Sequence, residues 1–223
     1  MDIWVGFTST LLLLLKGFVI GIIVSAPMGP TGILCIQRTM RKGRQYGIVT
    51  GAGAALSDLF YALITGLGMF SLVGFIEDKS ILFWLKLIGS VMLFIFGIWT
   101  LRSDPRKFMR NDNENKPKGT LLQNFVTSFL VTLSNPLIIF LFIALFNMLT
   151  FVVPENIFGM LVGYAAIVAG AMMWWYGLTY VLTRAKQNFG LHGIHRFNQA
   201  IGVVVITISI CYAIMTVFHL SFY

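Results

Sequence analysis

Phe18-Val19-Ile20-Gly21-Ile22-Ile23-Val24-Ser25-Ala26-Pro27-Met28-Gly29-Pro30-Thr31-Gly32 is an apolar run interrupted by two prolines three residues apart. Each proline removes a backbone donor and crowds the preceding turn. Gly29 and Gly32 add backbone freedom, so a helix cannot stay regular there. The run sits in an apolar segment covering about 8–36, and about 20 residues suffice to cross a bilayer. Counting back about 10 residues from Gln37 puts the break near mid-membrane. Irregular backbone at that depth is tolerated only inside protein or beside a water-filled cavity.

The rest of the chain agrees with a membrane setting. Its 223 residues are 57% hydrophobic and 11% charged, against about 25% charged in soluble domains. Sixteen basic and eight acidic side chains are too few to coat a water-soluble surface. Six apolar segments run over about 8–36, 47–70, 81–101, 120–150, 155–183 and 197–220. They are continuously apolar, unlike the alternating segments of roughly 10 residues in a β-barrel. The expected fold is an all-α integral membrane protein with six transmembrane helices. The N-terminus has Asp2 where a signal peptide has basic residues, and its apolar stretch outruns a normal h-region. It is expected to stay in the mature protein.

The net charge of +8 does not point to nucleic acid, because the basic residues sit in short loops between apolar runs. Arg38, Arg41, Lys42 and Arg44 lie in the first loop, six basic residues in the third, and Arg184, Lys186 and Arg196 in the fifth. These loops hold 13 of the 16. By the positive-inside rule they are cytoplasmic, and both termini are outside. Cys35 and Cys211 form no CxxC pair and fall in opposite halves of the membrane, so neither a disulfide nor a metal site is expected from them.

The third loop, 102–119, is polar and carries Pro117 and Gly119, as linkers do. It separates residues 1–101 from 120–223, with three spans on each side. An odd number of spans per half is the arithmetic of two inverted three-helix repeats. Phe18-Val19 leads to Ser25-Ala26-Pro27 in the first span, and Phe125-Val126 to Ser134-Asn135-Pro136 in the fourth. The spacing differs by two residues, and chance likeness between apolar helices is the alternative.

Three groups of residues can carry chemistry. At Pro27, Gly29, Pro30 and Thr31, freed carbonyls and a half-helix terminus suit a substrate or ion site; a packing kink is the alternative. Asp58 lies about 12 residues, roughly 18 Å, from the start of its span. A charge at such depth costs at least about 2.5–3.5 kcal/mol, so it should face the bundle interior or water. Gly47, Gly51, Ala54, Asp58, Ala62 and Thr65 recur at helical spacing as one small-residue stripe suited to close helix contact. An Asp there suits proton coupling, or serves as neutral glue between helices. Third, Ser134, Asn135 and Pro136 interrupt the fourth span. Pro136 frees the carbonyl of Thr132, and the Asn135 amide can bind a carboxylate or ion, or satisfy freed backbone.

Other features read as structural. Lys16 and Lys86 are expected to snorkel to the headgroups, although Lys86 has a depth near that of Asp58. His192 and His195 make no metal site without further ligands. The Gly-xxx-Gly pairs 17/21, 47/51 and 159/163 are packing motifs. Trp174-Trp175-Tyr176 reads as packing or interfacial anchoring rather than a substrate cage.

Taken together, the Gly-Pro break, the Gly-rich second span with its Asp and the Asn135-Pro136 pair resemble the lysine/threonine exporter (LysE/RhtB) superfamily over essentially the whole chain. Pro27-Met28-Gly29-Pro30 stands where that family usually has Pro-Gly-Pro, and Arg41-Lys42-Gly43-Arg44, Gly47, Gly51 and Asp58 follow. The extra Met28 is a departure that bears on substrate identity. The resemblance implies a bacterial cytoplasmic-membrane exporter of amino acids, driven by proton exchange.

The leading expectation is therefore a secondary transporter for a small molecule, amino acid or similar zwitterion. Asp58 would be the proton-coupling residue, and Pro27, Gly29, Pro30, Thr31, Ser134, Asn135 and Pro136 would be the substrate-binding set. The alternatives are a cation or metal exporter of the same superfamily, a channel, or a non-transporting accessory protein. A metal path favours several acidic or sulfur ligands at mid-membrane, and one Asp is present. No Walker A motif, dinucleotide fingerprint, nucleophile–base pair or CxxC occurs in the spans, so neither enzyme activity nor a cofactor is expected. The expected partners are the lipid bilayer and the small-molecule substrate, with a homo-oligomer as one possible assembly.

Overall fold

The computed structural model describes residues 3–27, 29–76, 79–102, 119–135, 137–184 and 191–218. Within them the chain forms α1 (Ile3–Ser25), α2 (Pro30–Lys42), α3 (Arg44–Ile76), α4 (Lys79–Arg102), α5 (Leu121–Leu133), α6 (Leu137–Met148), α7 (Ile157–Arg184) and α8 (Leu191–Val217). No strand occurs among the described residues.

Local chemistry explains the ends that matter for the site. α2 opens with Pro30 in its first turn, where no backbone donor is needed. It stops at Gly43, whose φ of +106° is costly for any residue with a Cβ. α5 opens with a capping box, Gln123 N–H donating to Thr120 Oγ1 and Thr120 N–H to Gln123 Oε1.

Four stretches are each long and apolar enough to cross a membrane: Gly6–Ser25, Arg44–Ser71, Ile157–Arg184 and Gln199–Val217. Leu121–Leu133 and Ile138–Met148 pass as a pair bent by 70°, which makes five if they are one broken span. The segment expected at 81–101 lies within α4, a helix of 24 residues.

The exterior is unlike that of a water-soluble protein, while the interior combines an apolar core with buried polar groups. Phe7, Leu67, Leu122, Phe158 and Leu161 are at least 60% exposed, an apolar exterior that fits lipid. Inside lie Ser25, Thr31, Thr50, Asp58, Asn124, Ser128 and Thr132. An aromatic cluster closes one end of the core. Phe146 stacks on Phe151 at 4.4 Å between centroids, and Tyr164 meets Phe151 edge-on at 5.5 Å.

Small residues bring particular helices together. α1 packs along α7, α3 along α5, and α4 along α8. A Cβ on Gly21 would strike the Ile167 carbonyl of α7, and one on Gly53 the Phe125 carbonyl of α5. These pairs are in backbone contact, which larger side chains would forbid. α2 touches α5 and α7, just as α6 touches α1 and α3. Exchanging α1–α2 with α5–α6, and α3 with α7, carries these contacts onto each other, although α2 also lies along α3 and α6 along α4, neither with a matching pair among the described residues.

The six stripe residues of α3, from Gly47 to Thr65, are all buried. Gly47 and Gly51 face Thr39 and Trp175, while Gly159 sits against Asn156. Lys16, expected to reach for headgroups, donates to the Thr150 carbonyl at 3.3 Å. Lys86 is half-buried. Cys35 is buried, Cys211 is exposed, and both are free. The side chains of His192 and His195 lie outside the described residues.

Candidate functional site

Two helix breaks meet at the centre of the bundle. At the first, α1 ends when Ala26 N–H donates to the Ile22 carbonyl. Gly29 N–H then turns back onto the Pro27 carbonyl at 2.9 Å, and Ile33 N–H picks up the Gly29 carbonyl as α2 begins. Gly29 caps α2 without any side-chain hydrogen bond. At the second break, Ser134 N–H donates to the Leu130 carbonyl and Asn135 N–H to the Thr132 carbonyl at 3.0 Å. The Thr132 carbonyl, expected to be free, is thus occupied by the backbone itself. Pro136 and Met28 lie outside the described residues.

The breaks are tied to each other and to α3. Thr31 Oγ1, in the first turn of α2, lies 2.7 Å from Thr132 Oγ1, in the last turn of α5. Ser25 Oγ donates to Asp58 Oδ2 at 3.3 Å, joining the end of α1 to α3. Tyr61 OH donates to the Leu133 carbonyl, joining α3 to the second break. Asp58 is 3% exposed, and its hydrogen bond comes from a side chain at the edge of the first break.

Between these groups lies a cavity of about 40 Å³. Pro27, Gly29, Pro30, Thr31, Asp58 and Asn135 line it, so six residues singled out from the sequence come together. Ser134 does not line it. Its side chain is exposed and bonds back to the Leu130 carbonyl at 2.8 Å, because one residue along a helix turns a side chain by about 100°. The cavity also takes in Ser25, Thr132, Phe96, Trp99 and Trp175, which the sequence reading did not select. A signal for Ser25 was present in the Ser-x-Pro likeness of the two spans. Trp99 carried none, since a tryptophan in an apolar helix faces lipid as readily as protein, and Trp175 belongs to the Trp174-Trp175-Tyr176 cluster that the sequence reading assigned to packing or interfacial anchoring.

A water needs about 10–15 Å³ of such space. The cavity therefore admits a few waters and must widen to hold anything larger. Asp58 is the acidic member of its lining, and no lysine or arginine lines it among the described residues. Nor do the described residues hold a cluster of three His, Cys, Asp or Glu side chains.

Arg38 sits one to two turns further along α2. Its Nη1 donates to Thr50 Oγ1 at 3.0 Å and to the Asn124 carbonyl at 2.8 Å, and its Nη2 to Thr127 Oγ1 at 2.8 Å. One guanidinium thus fastens α2 to α3 and α5. Lys42 adds a bond to the Gly119 carbonyl at 3.3 Å.

Comparison with known proteins matches residues 22–216 to the LysE type translocator family. A Bacillus subtilis protein named "Putative amino acid efflux protein YcgF" is 27% identical over 162 residues, covering 72% of this chain and 75% of that protein. "Uncharacterized membrane protein YahN" of Escherichia coli is 29% identical over 148 residues, 66% of this chain and 64% of that one. "Uncharacterized membrane protein PA4757" of Pseudomonas aeruginosa is 29% identical over 133 residues, 58% of this chain and 60% of that one. The chain thus spans less than two thirds of the last two relatives. No solved structure matches it.

Proposed function

The chain belongs to the LysE type translocator family, and on that premise we propose that it is a secondary transporter exporting amino acids or similar small zwitterions by proton exchange. The observation that carries this reading is Asp58, buried beside a cavity at the meeting of two broken helices. The half-helix terminus of α2 offers positive dipole to a substrate carboxylate. Asp58 offers negative charge to an ammonium or takes up a proton. A proton arriving from outside neutralises Asp58 and releases the ammonium. Loss of that proton to the cytoplasm restores the carboxylate for the next substrate.

The proposed architecture is six spans arranged as two inverted three-helix repeats, 1–101 and 120–223, joined by the linker 102–119. The exchange pattern of helix contacts supports it. The basic loops are assigned to the cytoplasm and both termini to the outside of a bacterial inner membrane. Rocking of one repeat against the other would open the cavity to each side in turn. A metal-exporting variant of this scheme is less well supported, because one carboxylate serves a zwitterion better than a divalent cation.

The test is reconstitution in liposomes with labelled amino acids and an imposed pH gradient. Saturable, gradient-dependent flux that disappears in Asp58→Asn supports the reading. Flux of divalent cations and of no amino acid overturns it.

A further inference from the structure

Along α7, Met173, Tyr176, Gly177, Tyr180, Val181 and Arg184 are all exposed. Their spacing of three and four residues puts them on one face of the helix. None of them lines the central cavity. A Cβ added at Gly177 would meet nothing within 4 Å, so this face carries a shallow groove between its larger side chains.

Two cations gather at one end of that face. The Arg44 guanidinium of α3 lies 4.2 Å from the Tyr176 ring centre and 5.3 Å from that of Tyr180, and Arg184 lies 5.5 Å from the same Tyr180 ring. Aromatic faces attract a cation without neutralising it, and two like charges at one ring repel. Asp58 and Glu155 are the acidic side chains among the described residues. Asp58 is roughly 20 Å along α3 from Arg44, and Glu155 roughly 40 Å from Arg184, beyond the opposite end of α7. Nor does a neutral acceptor serve Arg44, whose Nε and Nη2 are buried without a hydrogen-bond partner. Those two nitrogens are enclosed and reach no ligand themselves. They show that the fold leaves this charge uncompensated, which calls for an anion from outside the chain.

The setting narrows that anion. The groove opens on the apolar exterior, so its occupant has to be at home in lipid. Its basic end is the one assigned to the cytoplasm, where tyrosines sit at headgroup level and anionic lipids attract basic side chains. A soluble anion would match the arginines but not the groove. A zwitterionic lipid would match the groove but bring its own cation.

We infer that Arg44, Tyr176, Gly177, Tyr180 and Arg184 form a binding site for an anionic phospholipid. Exposed Arg184 meets the headgroup phosphate, half-buried Arg44 adds its charge from α3, and an acyl chain lies along α7 over Gly177. The lipid thereby ties α3 to α7, whatever the protein transports.

Native mass spectrometry of the full-length purified protein tests this, because it resolves the first lipid bound. The probes are dioleoyl phosphatidylglycerol and dioleoyl phosphatidylcholine, which share acyl chains and differ in net charge. Wild type should bind phosphatidylglycerol at least about ten-fold more tightly. Arg184→Gln should lower that preference about five-fold, and Arg44→Gln by a similar factor. Gly177→Leu fills the groove, leaves both arginines and should weaken phosphatidylglycerol several-fold. Arg102→Gln removes an exposed cation from the close of α4, on the side assigned to the cytoplasm, and should leave the preference unchanged. Equal affinity of wild type for the two lipids overturns the inference, as does an unchanged preference in Arg184→Gln or unchanged binding in Gly177→Leu. An equal loss in Arg102→Gln overturns it as well, because the effect is then one of diffuse charge. Soluble glycerol phosphate that displaces the lipid at equal concentration points to a free anion and also overturns it. Should Arg44→Gln not fold, Arg184→Gln and Gly177→Leu decide, since both side-chain positions face outward.

Discussion

The hydroxyls of Thr31 and Thr132 lie 2.7 Å apart, although the residues are 101 positions apart in the chain. Their bond fastens the first turn of α2 to the last turn of α5, and so turns two separate helix breaks into one cavity wall. A neutral hydrogen bond of this kind contributes about 0.5–1.5 kcal/mol. It is strong enough to hold the breaks together and weak enough to open during a transport cycle.

Replacing either threonine by valine keeps the shape and removes the bond. Each single variant should lose about 1 kcal/mol of stability, more if the partner hydroxyl is left unsatisfied. The double variant should lose less than the sum of the two, because the shared bond is counted once. Thermal unfolding of Thr31→Val, Thr132→Val and the pair in detergent checks this. Full additivity would show that the two hydroxyls are not coupled.

Asp58→Asn keeps size and polarity and cannot exchange a proton. Gradient-driven flux should fall to the background of empty liposomes, while membrane yield and elution profile stay at wild-type level. Asp58→Glu should retain partial activity, because the carboxyl survives with its position shifted by one methylene. Wild-type flux in the Asn variant would remove Asp58 from the coupling role.

Arg38 holds α2 against α3 and α5 through three donated bonds. Charged donors contribute more than neutral ones, roughly 1.5–3 kcal/mol each. Arg38→Gln should therefore loosen this end of the bundle and raise its opening by about ten-fold or more. Buried Cys35, one turn away, is a built-in reporter. In a Cys211→Ser background, maleimide labelling of Cys35 should speed up by that factor. Equal labelling rates would mean that the clasp does not limit access.

Gly53 packs against the backbone of Phe125. Gly53→Leu should separate α3 from α5 and destabilise the protein by about 1–3 kcal/mol or more, as overpacking does elsewhere. Gly68, with nothing within 4 Å of an added Cβ, should tolerate the same change. Thermal stability of the two variants, side by side, tells whether backbone contact or helix propensity governs the response.

Much of this organisation was legible in the sequence. The apolar segments name membrane helices because lipid leaves the backbone no other partner. Pro27 and Pro30 mark the first break because a helix cannot supply the missing donors. Asp58 stands out because a charge in that setting is costly, and the small-residue stripe it belongs to is buried throughout. Ser134 shows the limit. It shares its motif with Asn135, yet only Asn135 lines the cavity, because the turn at the end of α5 sends the serine outward and its hydroxyl onto Leu130.

The sequence alone therefore determined the material of the helices, where two of them break, and which acidic side chain they bury. Tertiary structure alone decided that Trp175, Trp99 and Thr132 would join that acid, and that Arg38 would clasp three helices. The physical reason lies in the solvent. In water, an amphipathic pattern announces which face of a helix turns inward. In lipid, leucine and phenylalanine are equally at home against a neighbouring helix or an acyl chain. Which face turns inward is then set by shape, by close approach at glycines such as Gly21 and Gly53, and by the few polar groups that must find one another. Those partners are far apart in the chain and become neighbours only when it folds.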